Sequence, residues 1–297
     1  MNEIFQMCDR ATVLRDGKYI KTIEMAKTTR DEVIQAMVGR DISLFAKRTM
    51  PCQKKGTEPV LRVDGLCSDL FNQISFDLYA GEILGFFGLV GAGRTEVMRA
   101  IFGADPYTKG SVILNGKEIH CKSPHEAIEL GIALISENRK EEGILPNFDN
   151  KDNISLASLK KYMSGIVIND NKKKQNALEK GKQVGLKPND PAFMTVSLSG
   201  GNAQKVILAR WMSTDATVMI FDEPTKGIDI GAKADIYLLM EKMAEQGVAI
   251  IMVSSELTEV MGMSDRIIVM RDGEITGELA KEEFSEQNIL NYTVEGN

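Results

Sequence analysis

Apolar residues in this chain fall into short dense runs separated by polar stretches rich in glycine. Glu82 to Phe87, Ile132 to Ile135, Val218 to Phe221 and Val248 to Val253 lack polar alternation and are short. They therefore read as strands buried on both faces. Behind the first run, Val97, Met98, Ile101 and Phe102 recur at helical spacing, predicting a helix over Thr95 to Phe102. Asn202 to Met212 reads as a second helix. Leu61 to Val63, Ile74 to Leu78 and Ser111 to Leu114 predict an antiparallel portion, with Asn115-Gly116 as a hairpin turn. The stretch between Glu137 and Leu198 is mostly polar and helix-compatible, with Lys172 to Lys174 as a solvated face. Arg40 to Pro59 carries Pro51, Gly56 and Pro59 without periodicity and reads as a linker. The fold class is α/β.

The turn between the first strand and its helix carries chemistry. Gly88, Leu89, Val90, Gly91, Ala92, Gly93, Arg94 and Thr95 fit G-x-x-x-x-G-K-S/T, except that arginine stands in the lysine position. Glycines let backbone N–H groups curl around phosphate oxygens, and the helix N-terminus adds a favourable dipole. Thr95 is then placed to ligate magnesium. A guanidinium is wide and forked where an ammonium is compact, so binding is expected to outlast fast turnover.

Val218 to Phe221 delivers Asp222 and Glu223 to a strand end, where ligands collect in open parallel sheets, and Pro224 ends the strand. Asp222 suits magnesium and Glu223 suits a water-polarising base. Ser199, Gly200 and Gly201 open the helix at Asn202 and make a second anion-binding nest. A ligand-free turn would explain the glycine loop alone, but not the loop, the serine nest and the acidic pair in that order.

The first residues repeat a later segment. Met1 to Gly17 (MNEIFQMCDRATVLRDG) aligns with Leu257 to Gly273 (LTEVMGMSDRIIVMRDG), and Glu3, Asp9, Arg10, Asp16 and Gly17 match Glu259, Asp265, Arg266, Asp272 and Gly273. Likeness this specific argues for tandem copies of one unit.

Composition narrows the class further. A hydrophobic content of 43% over 297 residues supports ordinary globular cores. No apolar stretch approaches the roughly 18 to 20 residues that cross a bilayer, and the start lacks the layout of a secretion signal. Cys8, Cys52, Cys67 and Cys121 are scattered, favouring reduced thiols over a disulfide frame or a zinc site. A net charge of −6 gives no electrostatic case for nucleic acid. The sixteen methionines read as core filler, His120 and His125 as surface residues, and Phe71 as core rather than an adenine platform.

The ordered motifs GLVGAGRTE, SENRKEEG, LSGGNAQKV, DEPTKGIDIGAK and SSELTEVMGMSDRI resemble the ABC ATPase superfamily. Within it they look like the second half of the tandem ATP-binding subunit of bacterial monosaccharide importers, the ribose, galactose and xylose type. The resemblance implies a P-loop fold with a mixed-sheet core, an antiparallel β subdomain and a helical subdomain over about 138 to 197. It implies ATP and Mg²⁺ as ligands. Gly88, Gly91, Ala92, Gly93, Arg94, Thr95 and Glu96 would hold nucleotide on one face, and Ser199, Gly200 and Gly201 would cover the γ-phosphate held by a partner cassette, packed head to tail. Asp229 matches the segment that crosses that interface. Thr95, Asp222 and Glu137 would serve the metal, Glu223 and Ser255 the chemistry.

Two positions depart from the family pattern: Glu137 stands for a glutamine and Ser255 for a histidine. With Arg94, these imply a weak or silent site on the chain's own loop. Residues 1 to 40 would be the remnant of a first ATPase domain, 41 to 59 a linker, and 60 to 297 the second ATPase domain. The chain is then expected to be a fragment or split product of a tandem protein. Implied partners are that first domain or a second copy, a transmembrane sugar permease and, indirectly, a sugar-binding protein, with no nucleic acid. The implied location is cytoplasmic, on the inner face of the membrane, with ribose weakly favoured as the sugar. A soluble regulatory ABC ATPase without a permease, or a non-hydrolysing module, are the alternatives.

Overall fold

The computed structural model describes residues 2–15, 18–29, 32, 33, 36, 48 and 58–294. In chain order the elements begin with α1 (Asn2–Met7), β1 (Arg10–Arg15) and β2 (Lys18–Glu24). Next come β3 (Leu61–Cys67), β4 (Ile74–Leu78), β5 (Ile83–Phe87), α2 (Arg94–Ile101), β6 (Lys109–Leu114) and β7 (Lys117–Ile119). The middle holds α3 (Pro124–Glu129), β8 (Ile132–Ile135), α4 (Asn150–Ser155), β9 (Met163–Ser164), β10 (Val167–Ile168) and α5 (Asp170–Gln183). The remainder is α6 (Gly200–Trp211), β11 (Val218–Asp222), α7 (Ile230–Glu245), β12 (Ala249–Val253), α8 (Leu257–Met263), β13 (Arg266–Arg271), β14 (Glu274–Ala280) and α9 (Glu286–Val294).

The main sheet runs β14-β13-β5-β12-β11-β8, parallel throughout except at the antiparallel edge pair β13–β14. Every residue of β5, β8, β11 and β12 is buried. That follows from helices covering both faces of a parallel sheet, which removes any reason for polar alternation. Their carboxyl ends, at Phe87, Ile135, Asp222 and Val253, lie at one edge of the sheet, where the two flanking strands of β11 bring the predicted site residues together.

The second sheet, β4-β3-β6-β7, is antiparallel. Its β6–β7 hairpin turns at Asn115 (φ 49°) and Gly116 (φ 74°), the pair of left-handed residues that a two-residue hairpin requires. Phe76 of β4 meets Phe86 of β5 edge to face, ring centres 5.1 Å apart, and joins the two sheets into one apolar core. Phe71 is part of that core and His120 and His125 are exposed, as their sequence contexts suggest. Among the described residues eight buried methionines fill core positions, while Met7, Met163 and Met194 are exposed.

The region from 138 to 197 is helical at α4 and α5, but it also contains the short β9–β10 hairpin around Gly165 (φ 64°). The lysine run is not uniformly solvated either. Lys173 is buried and ion-paired with Asp152 of α4, because at helical spacing one residue of the three must face inward. Among the described residues no helix is long and apolar enough to cross a membrane. Cys8, Cys67 and Cys121 are free thiols, and Cys52 lies outside the described residues.

The amino-terminal repeat extends to three-dimensional detail. Each bound of β1 and β2 reappears 256 residues later in β13 and β14. Both pairs shift register at the same place, between Val13 and Leu14 and between Val269 and Met270. β13 also pairs with β5, whereas among the described residues β1 pairs with β2 alone. The predicted linker lies mostly outside the described residues; within it, Arg48 is buried and forms an ion pair with Asp265 at 3.0 Å.

Candidate nucleotide site

β5 ends at Phe87 and α2 begins at Arg94, with Gly93 (φ 89°) as a left-handed N-cap that offers no side chain to the helix amides. The first-turn N–H groups are therefore left for an external anion. Gly88 sits so close to the Met270 carbonyl and the Ala92 methyl that a β-carbon would collide with both, which keeps the loop tight. The Gly273 amide, from the β13–β14 turn, donates to the Ala92 carbonyl at 3.1 Å and fixes the loop from behind. Leu89, Val90 and Gly91 form the exposed tip. Glu96 lies in the first turn of α2, where its charge favours the helix dipole. Its backbone amide, rather than its carboxylate, is the group suited to an anion.

Asp222, at the end of β11, is 2% exposed, and its Oδ1 has no hydrogen-bond partner. Burial pushes its carboxyl up to about 7, with Glu137 and Glu223 adding to the rise and a hydrogen bond from Thr95 and the charge of Arg94 opposing it. Glu223 follows at φ 47°, a left-handed conformation that side-chain-bearing residues avoid and that marks functional turns. Its amide is held by the Val253 carbonyl at 2.9 Å. Burial raises its carboxyl above the ordinary range, while a 3.2 Å hydrogen bond from Ser255 Oγ and the Arg94 charge pull it down. Ser255 thus touches the predicted base directly.

Arg94 is buried, and its guanidinium has two engagements: Nη1 donates to the Ser254 carbonyl at 2.9 Å and lies 3.7 Å from Glu223 Oε1. Glu137 forms an ion pair with Lys226, and its charge still raises Asp222. Thr95, Asp222, Glu223, Arg94 and Ser255 are therefore assembled at the strand ends, with Glu137 at the rim.

Ser199 caps α6, its Oγ accepting from the Asn202 amide at 3.5 Å, and also from Asn202 Nδ2 at 3.1 Å; both Ser199 and Gly200 are exposed. Gly201 is buried against α7: a β-carbon there would stand 2.6 Å from the Ala232 methyl. Asp229 caps α7, accepting from the Ala232 amide at 3.0 Å. Ser199 and Gly200 thus stand exposed at the α6–α7 surface, while Gly201 is buried beneath them.

Two residues that tie surrounding segments together were not legible in the sequence. Glu259 is buried and accepts from Thr225 Oγ1 at 2.7 Å, Ser254 Oγ at 2.9 Å and Lys233 Nζ at 2.7 Å, tying the segment after β11 to the segment after β12. Burial pushes its carboxyl up, but hydrogen bonds from Lys233, Tyr237 and Thr225 outweigh that and hold it below the usual range. Its identity with Glu3 in the repeat was the available signal. The second, Arg139, follows Glu137 and had no signal beyond the motif around it.

The donor set fits a hard divalent cation. Mg²⁺ takes one or two carboxylates and completes its shell with phosphate and water oxygens, and a buried carboxylate oxygen without a partner beside a threonine hydroxyl matches that demand. Among the described residues no cluster of three or more His, Cys, Asp or Glu forms an all-protein cage.

A glycine cradle before a helix, an acidic strand end and a serine-led nest on one mixed sheet define a nucleotide-binding cassette. The chain belongs to the ABC transporter family, whose model matches residues 71–226 and so spans the loop, the nest and the acidic pair. It is 44% identical over 299 residues to the ribose import ATP-binding protein of Oceanobacillus iheyensis, covering 100% of this chain and 60% of that protein. It is 45% identical over 294 residues to the arabinose import ATP-binding protein of Pseudomonas savastanoi pv. phaseolicola, covering 98% and 57%. The chain thus spans less than two thirds of these relatives. A dimeric ATP-binding cassette in a post-hydrolysis state bound to ADP and Pi superposes with TM-score 0.66 at 20% identity, over 75% of this chain and 100% of that one. An ATP-binding cassette in its ADP conformation superposes with TM-score 0.66 at 20% identity, over 79% and 94%. These last two establish the fold.

Proposed function

We propose that this chain is an ATP-binding and ATP-hydrolysing part of a monosaccharide importer, working as one half of a head-to-tail cassette pair. The observation that carries this reading is the unpartnered Asp222 Oδ1 buried between Thr95 and Glu223 at the foot of an uncapped helix. Gly88 to Thr95 hold the phosphates through backbone amides and the α2 dipole. Thr95 and Asp222, with Glu137 at the rim, would hold Mg²⁺, which would supply charge neutralisation on the phosphate oxygens. Glu223 accepts the proton of a water that attacks the γ-phosphorus as the bond to ADP breaks, and Ser255 orients that carboxylate.

The serine nest and Asp229 face outward, so their phosphate comes from a partner: a first ATPase domain or a second copy. The shared bounds and the shared register shift of β1–β2 and β13–β14 support reading residues 1–40 as the end of a preceding unit of the same kind, with 41–59 as linker and 60–297 as the second unit. The whole-length likeness to ribose and arabinose import proteins supports a transmembrane permease as partner, a binding protein acting through it, and a place on the cytoplasmic face of the membrane. The Arg94–Glu223 contact supports slow turnover on the chain's own loop.

Transport measured in cells carrying the complete importer tests the division of labour. Ser199→Arg should abolish uptake, whereas Arg94→Ala should leave a measurable fraction. Equal mild effects would remove the assignment of the nest to a partner's phosphate.

A further inference from the structure

The loop after β8, Ser136 to Gly143, is fastened at both ends to elements that belong to different nucleotide sites. On one side Glu142 accepts from Arg99 Nη1 of the phosphate-loop helix α2 at 3.1 Å and from Ser136. On the other, Arg139 Nη1 donates to the Gly200 carbonyl in the serine nest at 2.9 Å, and Nη2 donates to the Lys226 carbonyl at 2.8 Å, with Gly227 at 3.5 Å. Lys226 in turn pairs with Glu137. An independent packing contact repeats the attachment: a β-carbon on Gly143 would lie 2.6 Å from Ile207 Cδ1 of α6, so the loop is pressed onto the same helix that Arg139 holds at its start.

We infer that Arg139 is a positioning residue that couples the chain's own phosphate loop to the serine nest it presents to a partner cassette. This rests on the head-to-tail reading above. The planar fork suits the task because two donors at fixed separation can hold carbonyls from two segments at once. A lysine offers one point charge on a flexible stem and loses that separation. All three acceptors are backbone dipoles, and among the described residues no carboxylate pairs with Arg139. Burial lowers its pKa. When nucleotide draws α2 or the Glu137 rim to a new position, the strut carries that shift to Gly200.

The test uses the 297-residue chain with Glu223→Gln to stop turnover. MgATP affinity is measured by equilibrium titration and MgATP-driven association by sedimentation, for Arg139 and for Arg139→Gln and Arg139→Lys. Both variants should bind MgATP within about twofold and melt normally, yet associate about tenfold more weakly, since small displacements of positioned groups carry effects of that order or more. Variants that associate as well as the parent overturn the inference, and so does full rescue by lysine. A parallel loss of melting temperature, binding and association reduces Arg139 to a structural residue and overturns it too. A parent that fails to bind MgATP or to associate removes the cassette-pair reading itself.

Discussion

The two anion-binding nests of this chain share a backbone device and differ in everything around it. At Gly88 to Thr95 the uncapped helix opens on a buried arginine, beside a buried aspartate and a strained glutamate delivered by the end of β11. At the serine nest Ser199 and Gly200 are exposed and Gly201 is buried, while Asp229 caps α7 and Arg139 donates to the Gly200 carbonyl. One nest has carboxylates beside it that could serve hydrolysis, and the other offers backbone donors and a serine hydroxyl. On the proposed reading the difference means that the serine nest is completed by a partner cassette's nucleotide, while the glycine loop holds the chain's own.

The sharpest way to break this comparison is to remove the base from the chemical side. Glu223→Gln keeps the volume and the Ser255 contact but loses proton acceptance, so steady-state ATPase activity should fall about 10²- to 10⁴-fold. Equilibrium MgATP binding should persist. If turnover survives, the base lies elsewhere and the asymmetry between the nests loses its meaning.

A smaller effect is expected on the other side. Gly201→Val places a side chain where the Ala232 methyl already stands 2.6 Å from a β-carbon, so α6 must part from α7. Overpacking of this kind costs about 1–3 kcal/mol, readable by thermal or urea denaturation. MgATP binding to the glycine loop should be nearly unchanged, and cassette association should weaken. Loss of MgATP binding in step with stability would mean that the nests are not separable.

How much of this was legible beforehand differs between the two nests for a physical reason. The glycine loop, Thr95, Asp222 and Glu223 are read from a strand followed by a fixed spacing, because local backbone geometry places them. The apolar runs that became β5, β8, β11 and β12 were equally plain, since burial on both faces leaves an unbroken signature. The assembly around the site was not local. Glu259 gathers donors from residues up to 34 positions away, and Arg139 reaches carbonyls 61 and 87 positions on. Sequence separation hides such partners, and nothing in periodicity distinguishes a bridging arginine from a solvated one. The β9–β10 hairpin was missed because a two-residue pair leaves too short a pattern to tell from helix.

The mildest prediction concerns the acid that only the first nest possesses. In the nucleotide-free, metal-free chain Asp222 is held up to about 7 by burial, against 3.8 when unfolded. Between those values the folded chain carries a proton on this group and the unfolded chain does not. The unfolded state therefore binds fewer protons, and the contribution of Asp222 to stability falls as pH rises from about 4 to about 7. Asp222→Asn removes the titration, so under a chelator it should be more stable than the parent at pH 8 by up to about 4 kcal/mol, read as a higher melting temperature. The two should converge near pH 4. MgATP affinity should move the opposite way in the parent, rising towards pH 7 as the carboxylate ionises, because the metal needs the charged form. Parallel melting curves for parent and variant across that range would show that the buried carboxyl is ionised without a cation. The chemical side of the comparison would then no longer rest on a group awaiting its metal.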